Sequence, residues 1–132
     1  VIALLWAGIA AMHKRENFRY LIGCGSLELT NPDIGWAMYD YFSSAGALIE
    51  DPYGIARSAF KLPAATPGAR DWWRRHPDEL MKFFPPLFKG YLRLGAKIAG
   101  EPALDRDFGS IDFLILFDFD LIAARYARHF EA

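Results

Sequence analysis

Apolar residues recur at Val1, Leu5, Ile9 and Met12, one stripe of a helix running to about Glu16. That segment closes on His13-Lys14-Arg15, cations that suit the negative end of a helix dipole. Phe18 to Gly25 is short, aromatic and aliphatic, and carries Gly23 and Gly25 at its end, the profile of a buried strand with a close backbone approach. Thr30-Asn-Pro-Asp33 supplies a capping side chain, a proline for the first helical turn and an early acid. The apolar positions 34, 38, 41, 42, 45, 48 and 49 then predict a helix stopping near Asp51-Pro52.

From Pro52 to Gly68 prolines and glycines interrupt the pattern, and Ile55 to Leu62 is read as a strand or loop. Asp71 to Phe84 reads as helical with a break at His76-Pro77, since proline disfavours the helical conformation of the residue before it. Pro85-Pro86 ends that segment and starts a helix over 86–98, with the stripe Leu87, Tyr91, Leu94 and Ile98, closed by Gly100 and Pro102. Two strands, 102–106 and 111–117, follow as a hairpin across Phe108-Gly-Ser-Ile111, where Gly109 can take a positive φ. Asp118 or Asp120 can cap a last helix reaching His129.

The order of elements predicts an α/β fold, an α+β mixed sheet, and 132 residues with 53% hydrophobic content give a core for one domain. A formal charge of −1 offers no basic field for nucleic acid, so electrostatic recognition must come from local patches. A single cysteine, Cys24, excludes an intrachain disulfide and multi-cysteine zinc sites, and fits a reducing, cytoplasmic setting. The longest apolar run, Val1 to Met12, is too short for the roughly 20 residues of a bilayer span and lacks the basic start of a signal peptide. The chain opens on Val, which reads as a cut through a longer protein.

Several residue groups could carry chemistry. Lys89, Arg93 and Lys97 fall at i, i+4 and i+8, a cationic ridge for an acidic partner, a phosphate or anionic lipid, or simply a solvated face. Asp105, Asp107, Asp112, Asp118 and Asp120 crowd one region that could hold a substrate ammonium, although turn-forming and capping are the commoner uses of Asp. Their spacing does not match a calcium loop, and His13, His76 and His129 have no metal-ligand spacing, so no metal site is expected. Cys24, between two glycines with Ser26 close behind, reads as a buried, unreactive thiol. Tyr39 and Tyr41 could return a proton to a leaving thiolate, or pack in the core, where Trp36, Trp72, Trp73, Phe83, Phe84 and Phe88 are also expected.

Read together, Leu4-Leu-Trp-Ala-Gly-Ile9, Arg19-Tyr-Leu-Ile-Gly-Cys-Gly-Ser26, Pro85-Pro-Leu-Phe-Lys-Gly-Tyr-Leu-Arg-Leu-Gly-Ala-Lys97, Asp105-Arg-Asp-Phe-Gly-Ser-Ile-Asp112 and Arg125-Tyr-Ala-Arg-His-Phe130 resemble the C-terminal half of the ornithine-lipid-type, hemolysin-like bacterial N-acyltransferases, which belong to the GNAT-like acyltransferases. The resemblance covers nearly the whole chain, and the run from Pro85 to Lys97 is its most specific part. It makes residues 1–132 a partial acyltransferase domain, with the phosphate loop and an acidic strand residue upstream of Val1. Gly109-Ser110 stands where the family has Asn-Thr.

The resemblance implies transfer of a fatty acyl group, usually 3-hydroxyacyl, from acyl carrier protein or a CoA thioester to the α-amine of ornithine or a similar amino acid. The thioester is a co-substrate, and no cofactor is implied. In that fold a central strand splays from the next and pantetheine lies in the gap, with Phe18 to Gly25 as the neighbouring strand, and a helix N-terminus, here that of Val1 to Met12, holds phosphate. Backbone donors around Gly23 to Gly25 would polarise the thioester carbonyl, with Gly23, Cys24 and Ser26 beside substrate and Gly25 in the catalytic set. Asp112 would bind the cationic amino acid, Lys89 and Arg93 would meet carrier protein or phosphate, and Tyr39 or Tyr41 would be the general acid. A cytoplasmic enzyme with peripheral contact at the inner membrane face is expected. Rival readings are a non-catalytic acyl-chain or membrane-surface binding module, and a structural domain forming a homodimer across an open sheet edge.

Overall fold

The computed structural model describes residues 2–49 and 60–121. Helix α1 (Ile2–Glu16) leads into β1 (Tyr20–Leu27) and α2 (Pro32–Ser44), followed by α3 (Ala69–Arg75), α4 (Pro77–Met81) and α5 (Pro86–Arg93). Strands β2 (Lys97–Ile98), β3 (Ala103–Asp105) and β4 (Ser110–Asp118) follow, and residues 119–121 begin a further helical turn. The four strands form one open antiparallel sheet, so the α+β expectation holds.

β4 is the spine of the sheet. It pairs along its length with β1, from Tyr20 opposite Asp118 to Leu27 opposite Ile111. On its other side it pairs with β2 and β3 in succession, and β3–β4 is the hairpin expected from the Gly109 turn. Alternation sets the two faces: Ile111, Phe113, Ile115 and Phe117 are buried, while Asp112, Leu114, Leu116 and Asp118 between them are partly exposed. Phe42 of α2 meets the Phe113 ring edge-on at 5.2 Å, and Phe88 of α5 meets it at 6.1 Å. Burying side chains of this size contributes about 1.5–3 kcal/mol each, which fixes α2 and α5 on one sheet face.

The start signals worked as read. Asn31 accepts a hydrogen bond from the Asp33 N–H at 3.0 Å, Pro32 occupies the first turn of α2, and Pro86 does the same for α5. The break between α3 and α4 falls at His76.

Both expected helix ends were too long. α2 stops at Ser44 rather than near Asp51, because Gly46 (φ 69°) lets the chain turn so that Ala47 N–H reaches Phe42 O (2.8 Å) and Gly46 N–H reaches Ser43 O (3.1 Å). α5 ends in the same motif at Gly95 (φ 88°), with Ala96 N–H on Tyr91 O and Gly95 N–H on Leu92 O, both at 3.0 Å. The released segments then pair with each other. Ile98 N–H donates to Ala47 O at 2.7 Å, and Ile49 N–H donates to Ile98 O at 3.0 Å.

Lys97 therefore lies on β2, where its Nζ donates to Gly46 O at 2.8 Å, and is not part of a helical ridge with Lys89 and Arg93. Within α5 the buried residue is Phe88, whereas Leu87 of the expected stripe is exposed. Of the expected strand over 55–62, Lys61 forms a single bridge to Ala103, and 55–59 lie outside the described residues. The same holds for most of the expected last helix. Among the described residues no helix is long and apolar enough to cross a membrane.

Candidate functional site

The residues singled out along β1 divide by the strand's two-residue period. Gly25 and Leu27 turn inward and are buried; Tyr20, Ile22, Cys24 and Ser26 turn outward and are exposed. A Cβ on Gly25 would run into the Phe88 ring and Ile115 Cδ1, so only glycine lets α5 come this close. Gly23 lies on the same inward side, yet a Cβ there meets nothing within 4 Å. The expectation of a buried Cys24 thiol is overturned: it is exposed, because its position falls on the face that the helices leave uncovered.

Backbone polarity along β1 follows from β4. Leu114 O accepts from Ala99 N–H at 2.9 Å on the β2 side, and Phe119 N–H donates to Arg19 O at 2.6 Å on the β1 side. In an antiparallel ladder both main-chain groups of a residue point the same way, so odd-numbered β4 residues address β1 and even-numbered ones address β2. With Gly25 opposite Phe113 and Gly23 opposite Ile115, both glycines use their N–H groups inside the sheet. Ile22, Cys24 and Ser26 then present theirs at the other edge of β1, where no strand pairs among the described residues. The donors of the Gly23–Gly25 region that face the open edge are thus centred on Cys24.

Two predicted residues come together on the outward face. Ser26 stands opposite Asp112, and its Oγ donates to Asp112 Oδ1 at 2.7 Å. Ser110 Oγ donates to the same oxygen at 2.9 Å. Ser110 was missed as a partner; its position two residues before Asp112 on one strand face was the available signal. The other acids are occupied differently. Asp105 Oδ1 accepts from Phe108 N–H at 3.0 Å in the hairpin turn, and Asp118 binds Arg19. That hydrogen bond holds the Asp118 carboxyl below the usual carboxylate range and raises the Arg19 guanidinium. Among the described residues no three His, Cys, Asp or Glu side chains are placed to share a metal ion.

The remaining predicted residues lie on the helical layer. Tyr41 packs its ring against Phe42 and Phe84, and Tyr39 packs against Trp36, both half-buried beside the core. Lys89 and Arg93 are exposed one turn apart on α5. Burial pushes the Tyr91 hydroxyl upward on the same helix. Beside α3 a cleft of about 410 Å³ is lined by Trp36, Arg70, Asp71, Arg74 and residues 64–68. There Arg70 grips Asp40 with two nitrogens (2.6 and 3.0 Å) and lies 4.9 Å over the Trp36 ring. The Asp40 bond raises the Arg70 pKa, and the pair makes that wall of the cleft structural.

Sequence comparison finds three curated relatives, each named L-ornithine N(alpha)-acyltransferase. That of Rhizobium meliloti (strain 1021) is 28% identical over 137 residues, covering 99% of this chain and 43% of that protein. The relative from Brucella abortus (strain 2308) is 27% identical over 131 residues, covering 99% and 46%. The one from Agrobacterium fabrum (strain C58 / ATCC 33970) is 39% identical over 135 residues, covering 98% and 43%. The chain thus spans less than half the length of these relatives and matches their C-terminal part. No family model matches the chain, and no solved structure matches it.

Proposed function

We propose, from a chain related along nearly its whole length to the L-ornithine N(alpha)-acyltransferases, that the complete protein is an N-acyltransferase of ornithine-lipid synthesis. This segment contributes the strand edge at which thioester and amine meet. The observation that carries the reading is the placement of the outward main-chain donors of Cys24 and Ser26 beside the Ser26–Asp112–Ser110 cluster.

An extended acyl-pantetheine can lie along the open edge of β1, its amides bonding to main-chain groups as a neighbouring strand would. The Cys24 N–H then addresses the thioester carbonyl and favours the charge that develops on its oxygen, an effect typically worth 10²–10³ in rate. The neutral α-amine attacks that carbon, the new C–N bond forms, the C–S bond breaks, and the amine's proton leaves with the thiol. Asp112 attracts the side-chain ammonium of ornithine, with Ser26 and Ser110 fixing the carboxylate's orientation. Lys89 and Arg93 on α5 offer cations to an acidic acyl carrier protein. The donor is a 3-hydroxyacyl chain on that carrier, with a CoA thioester as the competing form.

The test is to incubate the full-length protein with ornithine and either donor and look for the N-acylated product by mass spectrometry. Product formation with the carrier thioester at a higher kcat/KM than with CoA is expected. No N-acyl product from either donor, with ornithine and related diamino acids, would sink the proposal.

A further inference from the structure

The net charge of −1 conceals two unlike parts. Residues 60–100 carry eight Lys and Arg against three Asp and Glu, a net +5, while the rest of the chain carries seven against thirteen, a net −6. The basic part contains α3, α4 and α5. It also exposes large apolar side chains: Trp72 at 42%, Phe83 at 42% and Leu87 at 41%. Trp72 contacts Trp73 at 4.9 Å and Trp73 contacts Phe83 at 6.1 Å, so the aromatic groups form one continuous patch. Arg74, Arg75 and Lys82 stand exposed on the same two short helices and their junction with α5. Arg75 and Lys82 pair with Asp71 (3.5 Å) and Glu79 (2.9 Å), but those pairs are solvent-exposed and weak, so a stronger anionic field can draw the cations away.

We propose that this face, Trp72 and Phe83 beside Arg75 and Lys82, seats the protein on an anionic phospholipid bilayer. Indole and phenyl rings partition into the headgroup layer, while cations beside them meet phosphate and raise the affinity for acidic lipid. An acidic protein would satisfy the cations alone; the mixture of exposed rings and cations on one layer favours the interfacial zone of a membrane. The inference goes beyond the reaction proposed above and does not depend on it.

The experiment is co-sedimentation of the full-length protein with vesicles of phosphatidylcholine alone or with added phosphatidylglycerol. Binding to the anionic vesicles, weakened by salt, is expected. Trp72→Ser with Phe83→Ser should lower partitioning about tenfold or more, and each cation removed at Arg75 or Lys82 should lower it about fivefold. Phe108→Ser, in the β3–β4 turn, should bind as wild type despite removing a side chain that is 86% exposed. If the aromatic double variant does not fold, quenching of Trp fluorescence by brominated lipid decides, and Trp72→Phe should lose most of it. The proposal is overturned if wild type ignores anionic vesicles, if patch variants bind them unchanged, if quenching is the same in Trp72→Phe, or if patch variants lose only an acidic carrier protein.

Discussion

The two sides of β1 are made from one strand and solve opposite problems. Inward, Gly25 and Leu27 are shaped by contact, with glycine admitting the Phe88 ring and Leu27 sealed in the core. Outward, Cys24 and Ser26 touch little of the core; Ser26 has a hydroxyl–carboxylate bond to Asp112, and the strand's neighbouring edge is unpaired among the described residues. Alternation thus separates positions shaped by the core from positions open to solvent, and under the proposed function substitutions one residue apart should be felt in different measurements.

The sharpest way to break that comparison lies within the inward side. Gly25→Ala should destabilise by about 1–3 kcal/mol in chemical denaturation, because the added methyl overlaps Phe88 and Ile115. Gly23→Ala, with no atom within 4 Å, should stay within about 0.5 kcal/mol. Equal effects at the two glycines would show that the inward side is not organised by close approach. On the outward side, Asp112→Asn keeps an oxygen for both serine hydroxyls but removes the charge. Under the proposed N-acyl transfer it should raise KM for ornithine about tenfold or more in the full-length protein, with thermal stability almost unchanged; an unchanged KM would take Asp112 out of the proposed amine site.

The smallest expected effect concerns the end of the outward face. Asp118, held ionised by Arg19, has a lowered pKa, so its contribution exists above the unfolded carboxylate value of about 3.9 and fades as pH falls through that range. Asp118→Asn should therefore lower Tm slightly near neutral pH, and the gap from wild type should shrink steadily in acid as pH falls through the lowered folded pKa of Asp118. A gap that widened in acid would assign Asp118 a different role.

Much of the fold was legible because its signals are local. The Asn31-Pro32 and Pro85-Pro86 starts, the His76-Pro77 break and the Gly109 hairpin each depend on a few consecutive residues. The helix ends were legible in principle, since Gly46 and Gly95 occupy the left-handed position that closes each helix, but the apolar period continued beyond both and pointed onward. Leu48 and Ile98 fit that period by coincidence with a second use, pairing as short strands. The Asp112–Ser26 partnership was legible only as two candidate residues far apart in sequence. Their meeting depends on the β1–β4 register.

The sequence by itself determined where α2 and α5 begin, that β1 and the β3–β4 hairpin form, that alternate positions of β4 are apolar, and that the chain is similar to proteins named L-ornithine N(alpha)-acyltransferase. Those properties reside in short-range backbone preference, periodicity and residue identity. Tertiary structure alone decided that Cys24 is exposed, that Lys97 leaves the α5 cations, and that Cys24 rather than its flanking glycines turns its main-chain N–H to the edge of β1 that is unpaired among the described residues. Each depends on which strand lies alongside and in what register, and a shift of one residue would exchange every inward and outward group on β1.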